Sequence, residues 1–210
     1  MSVLSVTMAA EENQKPEIYI DFVGGAVGHR LRAGEGRRQA LPKAAGFGKA
    51  PVPHVVDATA GLGRDAFLLA SLGAQVTLIE RSAAIHAALA DAMARAKAEG
   101  GRYAEIIARM TLLQGDSIKL LPALAPEVIV IDPMHPPRHN SALVKKEMRD
   151  LRDIVGVDPD QTELMQVALS CAKKRVVLKW PMHAEPMVGI RAPSHQIIGK
   201  STRYDVFMCV

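Results

Sequence analysis

The run HVVDATAGLGRDAF, residues 54–67, decides the fold. It opens on a short β-branched strand (residues 54–58), turns through Gly61 and Gly63, and enters a helical pattern at Arg64 with Phe67, Leu68 and Ala70 apolar. Strand, glycine turn and helix make the unit from which parallel sheets are built. The same alternation continues outward from it. QVTLIE (residues 75–80) reads as a second strand. A helix is predicted over residues 83–99, with Ile85, Ala88, Leu89, Ala92, Met93 and Ala96 at helical spacing. MTLLQGD (residues 110–116) and VIVID (residues 128–132) read as the third and fourth strands. Helical patterns cover residues 142–153 and 160–172, RVVLK (residues 175–179) reads as the fifth strand, and residues 196–199 and 204–209 as a terminal hairpin. Strands without polar alternation are buried on both faces. The expected fold is therefore α/β: a Rossmann-like, mostly parallel sheet with helices on both faces and a C-terminal antiparallel hairpin.

Composition agrees with one such domain. The 210 residues are 49% hydrophobic and 23% charged, enough to bury a proper core, and the 4% aromatic content suits aliphatic helices on a buried sheet better than an all-β sandwich. Residues 51–210 are expected to form the main domain. Residues 1–50 differ in kind, with one strand candidate at residues 18–23 and then a Gly/Arg-rich stretch expected to be a loop, and they read as an N-terminal appendage. Two cysteines, Cys171 and Cys209, are too few for a disulfide framework and point to a reducing, cytoplasmic compartment. No apolar run approaches the roughly 18 residues of a membrane span, and the N-terminus lacks the pattern of a signal peptide. The histidines show no metal-ligand spacing, so no metal is expected.

The net charge is only +4, but its distribution matters more than its total. Residues 29–49 carry Arg30, Arg32, Arg37, Arg38, Lys43 and Lys49 against a single acid, Glu35. A second cluster runs through Arg138, Lys145, Lys146, Arg149 and Arg152, and a third through Lys173, Lys174, Arg175 and Lys179. Such clusters bind phosphate backbones by releasing counterions; from charge alone, a solvated surface explains them equally well.

The strand ends carry the chemistry, because ligands of doubly wound sheets bind outside the carboxyl ends of the strands. Asp57 closes the first strand, with Gly61 and Gly63 allowing backbone amides to approach a ligand. Glu80 closes the second, 23 positions beyond Asp57, where a carboxylate can accept two ribose hydroxyls. Asp116-Ser117 follows the third and Asp132-Pro133 the fourth. A glycine pattern of this kind also describes dinucleotide sites, which leaves a nicotinamide-dependent oxidoreductase as a rival. A carboxylate at Asp57, however, repels a pyrophosphate and suits a cation. S-adenosylmethionine carries an ammonium and a sulfonium and no phosphate, and its ribose and adenine need acids such as Glu80 and Asp116.

Asp132-Pro133 points to the acceptor. An amine on a base ring is a poor nucleophile because its lone pair is delocalised into the ring. A carboxylate and a carbonyl can hold its two hydrogens and align the lone pair with the methyl group. Asp132 supplies the first acceptor and the backbone at or just after Pro133 the second. Lys179-Trp180-Pro181, ending the fifth strand, either lines a base pocket or simply buries Trp180, the latter being the simpler reading; Cys171, on an apolar helix, reads as core.

VDATAGLGRDAF (residues 56–67), IER (79–81), DPMHP (132–136), SALVKKEMR (141–149) and DFVGGAVGHR (21–30) together resemble the RsmJ family, bacterial enzymes that methylate N2 of a guanosine near the 3′ end of 16S ribosomal RNA in the small ribosomal subunit. The resemblance runs from about residue 18 to the C-terminus and implies a class I methyltransferase fold using S-adenosylmethionine. It puts cofactor contacts on Arg64, Asp65, Glu80, Arg81, Asp116, Ser117 and Asp132. Lys145, Lys146 and Arg149 follow the Asp132 loop on a predicted helix and are candidates to hold RNA phosphates beside the flipped base, with Arg30, Arg37 and Arg38 of the first basic cluster as further RNA-binding candidates. His135 stands where the family usually has phenylalanine, the position expected to stack on the target base. The family also tends to have a longer N-terminal region. The other rivals are an adenine N6-methyltransferase, which would use the same acceptor logic, and a non-catalytic ribosome-assembly factor that keeps the fold.

Overall fold

Seven strands form one sheet. The structure is a computed structural model that describes residues 18–24, 36, 39–48, 54–133, 160–199 and 201–209. Its elements are α1 (Ala40–Ala44), β1 (His54–Asp57), α2 (Arg64–Ser71), β2 (Gln75–Glu80), α3 (Ala83–Glu99), α4 (Gly101–Ile107), β3 (Met110–Gln114), α5 (Ser117–Leu124), β4 (Val128–Ile131), α6 (Gln161–Cys171), β5 (Arg175–Pro181), β6 (His195–Ile198) and β7 (Thr202–Met208). The strands order as β3-β2-β1-β4-β5-β7-β6, and the first five in sequence pair in parallel. The expected hairpin completes the sheet, with β7 antiparallel to β5 and β6 antiparallel to β7.

The apolar strands bury both faces, as period-two alternation requires. Val55, Val76, Leu78, Val128, Val130 and Val177 face a core shared with α1 to α4. Val56, Ile79, Ile129, Ile131, Val176 and Leu178 face a second core closed by α5 and α6. Each side chain so buried contributes roughly 1.5–3 kcal/mol, and only a three-layer sandwich lets a strand collect that on both sides.

Four elements differ from the sequence reading; one is α4, a helix where no element was expected. Residues 18–23, expected as a strand, do not join the sheet. Phe22 instead stacks on Phe67 of α2, ring centroids 4.7 Å apart. Asp21 Oδ1 accepts from the backbone N–H groups of Val23 and Gly24, each at 2.9 Å, and Arg95 of α3 donates to the Ile20 carbonyl at 2.7 Å. Aromatic burial and this side-chain turn outcompete strand pairing. Within the stretch expected as a loop, Ala40–Ala44 forms a helical turn that buries Leu41, Pro42 and Ala44. Ser117–Leu124 is a helix that short length and an internal proline, Pro122, hide from periodicity. Asp116, read as strand, caps it by accepting from the Ile118 N–H at 3.0 Å. The predicted helix at residues 142–153 lies outside the described residues.

Candidate active site

Sheet order turns four scattered acids into a row. Crossing β3, β2, β1 and β4 in turn, the carboxyl ends present Asp116, Glu80, Asp57 and Asp132, and β5 adds Lys179 beside them. They line a cavity of about 290 Å³. Of the residues expected to hold a cofactor, Asp57, Gly61, Arg64, Asp65, Glu80, Arg81, Asp116, Ser117 and Asp132 all lie on its wall.

Gly63 does not. It caps α2 with a left-handed φ of 66°, and a β-carbon there would come 2.7 Å from Leu89 and 3.1 Å from Phe22. Its constraint is the packing of the loop on the core, not approach of a ligand to the backbone.

Glu80 is buried and organises the loop above it. One carboxylate oxygen accepts from the Gly61 N–H at 3.0 Å and the other from the Ser82 N–H at 2.7 Å. Burial pushes its carboxyl up, and these two backbone donors counter the rise. Ser117 donates its hydroxyl to the Ala58 carbonyl at 2.6 Å, tying the start of α5 to the loop after β1. Arg81 bridges to Asp160 at the start of α6, 3.0 Å away, on the opposite wall.

Asp57 is 3% exposed. Burial, with Asp65 and Asp132 nearby, pushes its carboxyl up to about 7, against the opposing Thr59 N–H and Lys179. A group so poised favours a cation in the cavity and disfavours a phosphate.

Lys179, expected at the end of the fifth strand as a candidate lining of the base pocket, stands among these acids. Its ammonium donates to Asp65 at 2.8 Å and to Asp132 at 2.7 Å. Burial works against its charge, but the two carboxylates outweigh it and hold the group above its ordinary range. Neither partner lies near Lys179 in sequence. The parallel register that pairs Ile131 with Leu178 sets Lys179 and Asp132 side by side. Thr59 is an addition: its hydroxyl accepts from the Asp132 N–H at 2.7 Å, joining the loops after β1 and β4. The end of β5 is itself pinned. Buried Arg203 donates to the carbonyls of Pro181, Met182 and Ala184 at 3.2, 3.0 and 2.6 Å.

Trp180 is buried and donates its indole N–H to the Glu185 carbonyl at 2.8 Å, so it is core and not a base platform. The third basic cluster divides. Lys174 pairs with Glu127 and Arg175 donates to the Ala44 carbonyl at the start of β5, four residues before Lys179. Pro133 is buried directly after Asp132. His135 and the basic residues Arg30, Arg37, Arg38, Lys145, Lys146 and Arg149 lie outside the described residues. No helix among the described residues is long and apolar enough to cross a membrane.

A cavity walled by carboxylates, with backbone amides at its glycine loop and a carboxylate held at the end of β2, fits a cationic nucleoside. Comparison with known proteins agrees. A family described as "Putative SAM-dependent methyltransferase" matches residues 2–209. The chain is 73% identical over 197 residues to ribosomal RNA small subunit methyltransferase J of Agrobacterium fabrum, covering 94% of this chain and 95% of that protein. It is 71% identical over 192 residues to the protein of the same name from Brucella anthropi, covering 91% and 94%. Among solved structures, a SAM-dependent methyltransferase from Neisseria gonorrhoeae superposes with a TM-score of 0.72 at 35% identity, over 93% of this chain and 76% of that one. An RNA methyltransferase from Salinibacter ruber, solved with S-adenosyl-L-homocysteine, shares the fold at a TM-score of 0.53 and 14% identity, over 80% of this chain and 88% of that one. The chain thus has the fold of a class I methyltransferase and belongs to the ribosomal RNA small subunit methyltransferase J family of S-adenosylmethionine-dependent enzymes.

Proposed function

We propose that the protein methylates the exocyclic N2 of a guanosine near the 3′ end of 16S ribosomal RNA, acting in the cytoplasm on the small ribosomal subunit. The observation that carries this reading is Asp132, an anchored carboxylate at the edge of the cofactor cavity, followed at once by Pro133. It is supported by the names of the curated relatives. S-adenosylmethionine supplies the methyl group, activated on its sulfonium. Glu80 accepts the ribose hydroxyls, Asp116 serves the adenine, and Asp57 offsets positive charge. Asp132 accepts one hydrogen of the guanine amine and the backbone at Pro133 the other, so that the nitrogen lone pair points along the line of transfer. No strong base is required, because the proton leaves after the nitrogen has become cationic. His135 stacks on the flipped base, and Arg30, Arg37, Arg38, Lys145, Lys146 and Arg149 hold the flanking phosphates.

The test is transfer of labelled methyl from S-adenosylmethionine to unmethylated small subunits, followed by nucleoside analysis. Label in N2-methylguanosine is the expected result. Label in N6-methyladenosine would replace the acceptor, and no label with cofactor bound would turn the reading to an assembly factor.

Glu80→Ala is expected to weaken S-adenosylmethionine binding by about 1–3 kcal/mol, since it leaves hydroxyl partners unpaired. The substitution also strips the acceptor from the Gly61 and Ser82 N–H groups, so the cofactor-free protein loses thermal stability too. Glu80→Gln, which keeps one carbonyl oxygen, recovers part of both. Calorimetric titration showing equal affinity for Glu80→Ala and the parent would remove Glu80 from the ribose site.

A further inference from the structure

We propose that Lys179 is a positioning residue for methyl transfer: it occupies one carboxylate oxygen of Asp132 and so leaves the other to receive the amine. The inference rests on the reading of Asp132 as the amine's acceptor. Lys179 Nζ donates to Asp132 Oδ2 at 2.7 Å and to Asp65 Oδ2 at 2.8 Å. Two of its three hydrogens are thereby fixed in direction. The Asp132 main chain is fixed as well, through its N–H to Thr59. The backbone is anchored from the loop after β1 and one oxygen from β5, and the carboxyl plane loses its rotation.

The exposures suit this division of labour. Asp65 and Lys179 side chains are each 25% exposed, whereas Asp132 is 45% exposed. The pair behind is sheltered and the group in front is open to a substrate. Among the described residues, Lys179 is the partner of the Asp132 carboxylate, through Oδ2. Misplacing a reacting group by about 1 Å can cost ~100-fold in rate, so a free carboxylate rotor is a loss in kcat and not in binding.

The charges make a second, signed consequence. Asp132 is faced by Asp57 from β1, Asp65 from α2 and Lys179 from β5; Glu80 and Asp116 stand on the far side of β1. The protein packed around Asp132 pushes its carboxyl up, Lys179 pulls it down, and Asp65 pushes it up again. The ionised form is the one with both oxygens able to accept. Removing Lys179 therefore moves the acidic limb of the kcat–pH profile to higher pH, and removing the Asp65 charge moves it to lower pH.

The experiment measures kcat and KM on small subunits across pH, with cofactor affinity by calorimetry, for Lys179→Met, Lys179→Arg, Asp65→Asn and Asp132→Ala in the full chain. For Lys179→Met the expected result is a kcat lowered about 10–100-fold, KM and cofactor affinity nearly unchanged, and the acidic limb shifted upward. Lys179→Arg, which keeps the charge, returns the limb toward its original position. Asp65→Asn shifts it downward. A merely structural lysine would change melting temperature and leave the limb where it was. Unchanged kcat and limb in Lys179→Met overturn the proposal, and if that variant does not fold, an unmoved limb in Asp65→Asn overturns it instead. A parent-like rate in Asp132→Ala would overturn the acceptor reading itself, which separates the two failures.

Discussion

Asp132→Ala is expected to lower methyl transfer by about a thousandfold or more, roughly 4 kcal/mol of barrier, while the protein folds and binds cofactor. The rate falls because the alanine variant can no longer hold the amine's hydrogen, and a delocalised lone pair is left without direction. The fold survives for a reason visible in the site. Three carboxylates, Asp57, Asp65 and Asp132, surround the single ammonium of Lys179. After the substitution Lys179 keeps Asp65 at 2.8 Å, and one repulsive charge is gone. The melting temperature of the cofactor-free variant should equal or exceed that of the parent. Asp132→Asn, with an amide oxygen in place, should lose less activity than the alanine variant. Single-turnover transfer to small subunits with the three proteins measures this, and equal rates for Asp132→Ala and the parent would remove the residue from the chemistry.

The second large effect is on stability, and its sign is opposite to intuition about an acid in an active site. Asp57→Asn should stabilise the cofactor-free protein at pH 8. The Asp57 carboxyl is raised from 3.8 to about 7 on folding, mainly by burial. A raised acid is neutral in the folded state at low pH and costs nothing there. As pH climbs from about 4 through 7 the unfolded chain ionises first, and stability is lost progressively across that window. At 1.36 kcal/mol per unit over about 3 units, the full loss is on the order of 4 kcal/mol, or about 8–16 °C in melting temperature for a chain of this size. Asparagine avoids it and still accepts from the Thr59 N–H, which lies 3.2 Å from Asp57 Oδ1. Scanning calorimetry should therefore show the variant ahead at pH 8 and the two proteins converging toward pH 4. A gap that stays constant with pH would contradict burial as the cause. The same variant should bind S-adenosylmethionine more weakly, because the cationic ligand is what makes an ionised Asp57 favourable.

Much of this site was legible in residue order. Asp57, Glu80, Asp116 and Asp132 each follow a run of strand-forming residues, and the rule that ligands sit at the carboxyl ends of parallel strands is enough to assign them. The glycine turn was legible as a turn but not in its purpose. Gly63 faces Leu89 and Phe22, contacts between segments about 26 and 41 residues away that no local pattern announces. Residues 18–23 failed as a strand for the same reason, since Phe22 finds its partner in Phe67 on a different element.

Sequence by itself determined the alternation of strand and helix, the apolar faces that demand a three-layer fold, and the acids at the strand ends, because all of these are set by periodicity and by neighbours within a few positions. Only the tertiary structure decided what stands beside what. Strand order put Lys179 next to Asp132, 47 positions earlier, and next to Asp65, 114 positions earlier. It also left Lys174 and Arg175 at the opposite end of the same strand. Lateral pairing in a parallel sheet depends on crossover connections and register, which are global properties of the packed chain. The pairing of Lys179 with Asp132 and Asp65 follows from them.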